Sequence, residues 1–262
     1  MPEIGLIAGS GIYKIPGLVI KKKKGIVTPF GRPSDDYRIV EINDVEIAFL
    51  PRHGSAHNIP PHRVNYRANI WGLKELGVKR IISVSAVGGI NKKMKPGGIV
   101  IPDQVIDMTG GRNSTFYDGP EVVHIDFTEP YCPEIRKTLI KAGRKTGIVL
   151  IKGGVYICTN GPRLESKAEI VAYKIMGADV VGMTVMPEAS LAREVEICFA
   201  GVSVVTNYAA GISRTKLTTT EVLKTMKSSS AKINMLLKEC VIHIPSKREC
   251  PCKDALKDSR MG

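Results

Sequence analysis

The feature that most constrains this chain is a recurring one. Short apolar runs are each stopped by a brief motif of glycine, hydroxyl or charge. The clearest run is 45–50, which ends on Pro51 and passes at once into Arg52, His53 and Gly54. Gly54 lets the backbone turn, and His57 with Pro60 and Pro61 holds an extended loop before a helix begins. Residues 4–8 end in Gly9-Ser10-Gly11, and 79–86 end in Ser85-Ala86 followed by Val87, Gly88 and Gly89. Residues 178–183 end at Thr184, and the longest apolar run, 197–206, ends in Asn207-Tyr208-Ala209. Shorter strands are expected at 99–101, 104–106 and 154–159, and helices at 62–76, 131–147, 164–176, 187–196 and 219–240. Strands alternating with helices give an α/β domain. In such sheets ligands bind beyond the carboxyl ends of the strands.

Taken singly, these motifs leave alternatives open. Arg52 and His53 read as a solvated loop or as anion ligands, arginine being well shaped for a forked grip on phosphate. Gly9-Ser10-Gly11 offers backbone N–H groups and one hydroxyl. It does not complete the dinucleotide fingerprint, because Lys14 stands where the third glycine belongs. No phosphate-binding G-x-x-x-x-G-K-[ST] motif occurs. His124, between valines and an isoleucine, reads as a structural residue. Glu165, near a helix start, is explained by the helix dipole alone. Residues 109–120 form a polar, glycine-rich loop, a candidate lid. Val222, Leu223, Met226, Ile233 and Leu237 mark the buried stripe of the last helix, capped by Thr218 or Thr219.

Together the motifs say more. Ser10, Arg52-His53, Ser85-Ala86, Thr184 and Asn207 come from five strand ends that an α/β sheet can gather on one rim. Hydroxyls, one arginine, one histidine and exposed N–H groups make a phosphate pocket. No G-x-S-x-G nucleophile motif and no H-E-x-x-H metal spacing is present. The pattern suits phosphate as a reactant rather than a covalent enzyme intermediate.

Composition bounds the rest. With 262 residues and 43% hydrophobic content, and no repeat or linker, the chain reads as one domain over 1–243. A polar tail, 244–262, follows and carries Cys250-Pro251-Cys252, read as a redox-active or disulfide-forming pair or as incidental exposed thiols. No apolar run approaches the roughly 18 residues of a membrane span, and the first residues lack a signal-peptide pattern. Six cysteines are too sparse for a disulfide scaffold, so a cytoplasmic protein is expected. The formal charge of +13 comes from dispersed basic residues. We read it as a solvated surface that also favours anionic substrates, not as a nucleic-acid interface.

Longer motifs are more specific. T-P-F-G-R-P-S-D (28–35), R-H-G-x-x-H with V-N-Y-R-A-N-I (52–70), P-G-G-I-V-I-P-D-Q-V-I-D (96–107) and F-Y-D-G (116–119) stand in order along the chain. E-P-Y-C-P (129–133), G-P-R with A-E (161–169) and G-A-D-V-V-G-M-T-x-x-P-E (177–188) follow. Over nearly its whole length the sequence resembles the 5′-methylthioadenosine phosphorylase branch of the trimeric purine nucleoside phosphorylase family. The resemblance implies one α/β domain around a mixed, partly closed sheet flanked by helices, assembled as trimers or dimers of trimers. It implies cleavage of a purine nucleoside by inorganic phosphate, the co-substrate, with no cofactor or metal. By motif, the phosphate site falls on Ser10, Arg52, His53, Ser85, Ala86 and Thr184, and Met183 lies under the ribose.

The departures bear on the substrate. Methylthioadenosine phosphorylases usually carry D-Y-D where this chain has Asn207-Tyr208-Ala209, and a serine where it has Glu165. An asparagine amide can donate to purine N7 or O6, and a glutamate accepts from N1–H. Against adenine, whose N1 is a lone pair, a buried Glu165 leaves an unpaired acceptor costing about 1–3 kcal/mol. The pairing resembles the 6-oxopurine-specific members, with inosine, guanosine and 5′-methylthioinosine as substrates. Asn207, Glu165 and His53 are the expected catalytic residues, His53 as a phosphate ligand rather than a proton shuttle. Thr219 and Val222, with His124 nearby by motif, match the family's 5′ pocket. Thr219 is more polar than the usual valine, so a 5′-methylthio group, a 5′-hydroxyl or both remain open.

Overall fold

Alternation of core-facing side chains along the strands explains how the chain layers itself. The computed structural model describes residues 1–9, 19–213 and 217–261. Its first strands are β1 (Ile4–Ala8), β2 (Ile20–Lys24), β3 (Tyr37–Ile42) and β4 (Val45–Pro51), then helix α1 (Tyr66–Glu75) and β5 (Arg80–Gly89). Strands β6 (Ile99–Ile101), β7 (Gln104–Met108) and β8 (Val122–Val123) precede α2 (Pro133–Lys145). Next come β9 (Leu150–Lys152), β10 (Val155–Thr159), α3 (Lys167–Ile175), β11 (Val180–Gly182) and α4 (Val185–Glu194). The chain closes with β12 (Cys198–Tyr208), α5 (Thr219–Val241) and β13 (Arg260–Met261).

Eleven strands form one mixed sheet in the order β2-β3-β4-β1-β5-β11-β10-β7, with β12, β6 and β9 branching from β5. The sheet is mixed, as the sequence resemblance implied, and it forks at β5. On one face Leu6, Phe49, Ile82 and Val202 pack with α2 and α5; on the other Ile7, Leu50, Ile81 and Phe199 pack with α1 and α4. Burial on both faces is why β12 and β5 read as near-continuous apolar runs.

Strand β5 positions the site. Its first half pairs with β1, ending at Ala8 opposite Val84, and its last residues pair antiparallel with β11, beginning at Val181 opposite Gly88. Between these contacts Ser85, Ala86 and Val87 pair only with β12. One edge of β5 is therefore open where two neighbours fail to meet. The pairing of β12 with β5 also slips between Val205 and Asn207. Such a bulge redirects the following side chain, here Asn207.

Several sequence expectations change. The helix expected over 164–176 begins only after Ser166, whose side chain accepts from Glu169 N while Glu169 caps in return. Glu165 thus stands just before the N-cap, outside the first helical turn. On α5, Met226, Ile233 and Leu237 are buried, but Leu223 is 54% exposed, because the first turn of α5 leaves the core. Residues 244–261 do not hang free. Arg80 donates to the carbonyls of Pro245 and Ser246, β13 pairs with β8, and Cys250 and Cys252 are buried, not exposed. Among the described residues no helix is long and apolar enough to cross a membrane.

Candidate active site

The strand ends meet at a cavity of about 390 Å³, within the range of small-molecule sites. Gly9, Arg52, His53, Ser85, Ala86, Thr184 and Asn207 all line it, although they come from β1, β4, β5, β11 and β12 or the residues just beyond them. Ser10 lies outside the described residues. A Cβ on Gly9 would stand 2.8 Å from Arg52 Nη1 and 3.4 Å from the His53 ring, so glycine is what lets β1 end against both.

Arg52 is 1% exposed and faces Glu188, which is fully buried. Nε and Nη2 donate to the two carboxylate oxygens, Nη2 also donates to Ser83 Oγ (2.6 Å), and Nη1 donates to Val84 O (3.1 Å). Ser83 Oγ in turn donates to Glu188 Oε2 at 2.8 Å. Burial opposes the charge on Arg52, yet the Glu188 carboxylate more than offsets this and raises its pKa above the usual value. The fork expected to grip a phosphate is thus turned onto Glu188. Of five N–H groups, one on Nη1, beside Gly9, is left for an anion. Glu188 is the residue sequence reasoning missed. Its only signal was its place in the P-E that ends the 177–188 motif.

His53 Nδ1 pairs with Ile59 O at 2.8 Å. A carbonyl only accepts, so Nδ1 carries the proton and Nε2 is an acceptor. Burial, then the charge of Arg52, pushes the His53 pKa down to about 4. The ring is neutral at pH 7 and can accept from a protonated phosphate oxygen. Ser85 Oγ lies 3.4 Å from Ser203 Oγ. Thr184 caps α4 without spending its hydroxyl on the helix.

The Asn207 amide is oriented by its neighbours. Thr206 Oγ1 donates to Oδ1 at 2.7 Å, and Nδ2 donates to Tyr208 O at 2.9 Å. The second N–H of Nδ2 stays available. Glu165 Oε1 accepts from Thr159 Oγ1 at 2.8 Å, so the carboxylate is steered by β10 while its other oxygen is not engaged by that contact. Met183 lies close against the turn at Gly161, where a Cβ would collide with its sulfur. Ala209, Thr219 and Val222 line the same cavity, together with Leu217 and Leu223. Donors and acceptors at one group of strand ends and an amide–carboxylate pair at another can hold an anion beside a planar heterocycle.

Residues 3–242 match the family model described as the phosphorylase superfamily. The chain belongs to the phosphorylase superfamily. It is 54% identical to a probable 6-oxopurine nucleoside phosphorylase of Thermococcus kodakarensis over 98% of both chains. It is 53% identical to a probable S-methyl-5′-thioinosine phosphorylase of Thermodesulfovibrio yellowstonii, over 98% of this chain and 97% of that one. Among solved structures, methylthioadenosine phosphorylase from Schistosoma mansoni in complex with adenine superposes with a TM-score of 0.94 at 33% identity, covering 100% of this chain and 99% of that one.

Two expectations for this phosphorylase are not met within a single chain. His124 does not line the cavity; its N–H donates to Ser259 O at 2.8 Å, at the small β8–β13 sheet. The candidate lid does not line the cavity either. Arg112 ties it down through Met186 O, Asn160 and Tyr66, and Phe116 packs against both Phe30 and Trp71. Local sequence shows a loop and a motif, not the elements against which they pack.

Proposed function

We propose that this phosphorylase cleaves 6-oxopurine nucleosides with inorganic phosphate, releasing the base and a ribose 1-phosphate or 5-methylthioribose 1-phosphate. The observation that carries the reading is the pairing of Asn207 and Glu165 in the cavity that also holds Arg52, His53, Ser85, Ala86 and Thr184. The 6-oxopurine and methylthioinosine activities named for the two relatives above support it.

In this mechanism phosphate is held by Ser10, Arg52 Nη1–H, His53 Nε2, the Ser85 and Thr184 hydroxyls and the Ala86 backbone. It attacks the anomeric carbon from the face opposite the base. The C–N bond breaks as the C–O bond forms, and the sugar, over Met183, gains oxocarbenium character beside the phosphate anion. The bonding electrons pass into the purine. Asn207 donates to N7 or O6, where that charge gathers, and Glu165 accepts from N1–H. Solvent supplies the proton that leaves the base neutral. The reaction needs no cofactor, and we place it in cytoplasmic purine salvage.

The name of the Schistosoma relative supports a second reading, methylthioadenosine phosphorolysis, for which Val222, Leu217 and Leu223 supply an apolar wall. Base release from inosine, guanosine, 5′-methylthioinosine and 5′-methylthioadenosine, with and without phosphate, separates the two. The 6-oxo compounds should react and methylthioadenosine should not; methylthioadenosine as best substrate would overturn the base assignment. Turnover without phosphate would instead mark a hydrolase.

We further propose that the working form is a trimer or a dimer of trimers. His124 and Thr219 were expected to share the 5′ pocket, and His124 lies off this chain's cavity, which fits delivery by a neighbouring copy. Light scattering should give a multiple of three; a monomer active at the same rate would refute it.

A further inference from the structure

Outside the nucleoside cavity, one cluster of reactive groups has no role in the proposed reaction. Cys132, Cys198, Cys250 and Cys252 are all buried, at 0–4% exposure, and their sulfurs all lie within 4.8 Å of one another. Cys132 precedes α2 as its N-cap, and Cys198 opens β12. Cys250 and Cys252 flank Pro251 at the start of a 3₁₀ turn in the carboxyl-terminal segment. Three stretches remote in sequence thus converge on one point. None of the four lines the cavity.

We propose that these four cysteines form a structural tetrathiolate site for one zinc ion per chain. The sulfurs of Cys198 and Cys250 are 3.3 Å apart. Around a tetrahedral ion with Zn–S bonds of about 2.3 Å, sulfurs stand about 3.8 Å from each other. The observed spread brackets that spacing, and four sulfur ligands close the coordination sphere, as in structural rather than catalytic zinc sites. Soft thiolates at tetrahedral spacing select zinc or iron, and zinc, which has no redox chemistry, suits a purely structural site. On binding, four S–H protons leave to solvent and four Zn–S bonds form; no oxidant or reductant takes part. Cys132 sits at the amino end of a thirteen-residue helix with no hydrogen bond from its side chain to the helix.

The position explains a second observation. Residues 244–261 are largely polar, and only Cys250, Cys252 and Ser259 are buried in that stretch. A segment with so little apolar area has weak reason to dock by packing. A metal bridge from Cys250 and Cys252 to α2 and β12 would tie it to the sheet. The C-x-C motif alone did not reveal this, because its two partner thiols lie far upstream.

The test uses the full chain, purified under reducing conditions without chelator, beside the C250S/C252S variant. Elemental analysis should find about one zinc per chain in the wild type and less than about a tenth of that in the variant. Cobalt added to zinc-stripped wild type should give an intense thiolate charge-transfer band and tetrahedral d–d bands, both removed by one equivalent of zinc. Stripping should lower the wild type's thermal midpoint by about 5 °C or more and leave the variant's unchanged. Initial phosphorolysis rates at 25 °C should agree within about twofold, because the cluster stands apart from the cavity. Stripped protein that takes up neither ion with its four thiols intact would overturn the site. So would two disulfides, read as a four-hydrogen mass deficit, in protein prepared without oxygen. If the variant does not fold, the cobalt spectrum of the wild type decides alone.

Discussion

Around Arg52 the cavity is built from buried strand ends, whereas around Glu165 and Thr219 it is walled by a loop and the exposed first turn of a helix. The first neighbourhood is tightly bonded. Arg52 and Glu188 are desolvated together and share Ser83, and His53 is held by Ile59. The second has spare capacity: one Asn207 N–H, one Glu165 oxygen and an apolar wall on α5. The difference teaches a division of labour. On the proposed reading, the phosphate ligands sit where the sheet fixes them. Of the groups that would tell substrates apart, Asn207 shares that footing at the end of β12, whereas Glu165 and Thr219 sit on a loop and a first helical turn.

The largest expected effect breaks the rigid side. Glu188→Ala leaves the Arg52 guanidinium buried without its partner, which costs about 3–5 kcal/mol of stability. Chemical denaturation should show the loss, and an unchanged midpoint would mean the pair contributes only geometry. Next, Asn207→Asp removes an obligatory donor and adds an acceptor facing the base. Inosine kcat/KM should fall by about 100-fold, near 3 kcal/mol, with 6-aminopurine nucleosides gaining relative to it. Retained inosine preference would refute the base-reading role.

Glu165→Gln should cost inosine about ten- to hundredfold in kcat/KM while leaving the KM for phosphate within about twofold. A shift in phosphate KM as large as that in inosine would erase the distinction between the two neighbourhoods. The pH response tests His53. Its pKa is lowered in the folded state to about 4 from the ordinary 6.5, so between those values the unfolded chain binds more protons. His53 therefore contributes full stability above pH 6.5, lost progressively as pH falls to about 4. The thermal midpoint of the wild type should drop across that window more steeply than that of His53→Gln. The smallest effect is expected at Thr219→Val, a shift of about threefold toward 5′-methylthioinosine over inosine, read from the ratio of kcat/KM values.

Much of this was legible beforehand because it is local. An apolar run followed by a turn residue marks a strand end wherever the strand lies, so Arg52, His53, Ser85, Ala86, Thr184 and Asn207 were found from their own neighbourhoods. What a partner from another element decides was not legible. Leu223 carries the helical stripe yet faces the cavity, and His124 keeps its motif yet packs against Ser259.

The sequence by itself determined the α/β class, the strand ends that carry polar groups, and the family. Only the tertiary structure decided that Arg52 turns its fork onto Glu188, that a slip in pairing at Thr206 aims Asn207, and that four cysteines from three remote stretches meet. Burial of a charge, strand register and the meeting of distant thiols are relations between segments, which no window along the chain contains.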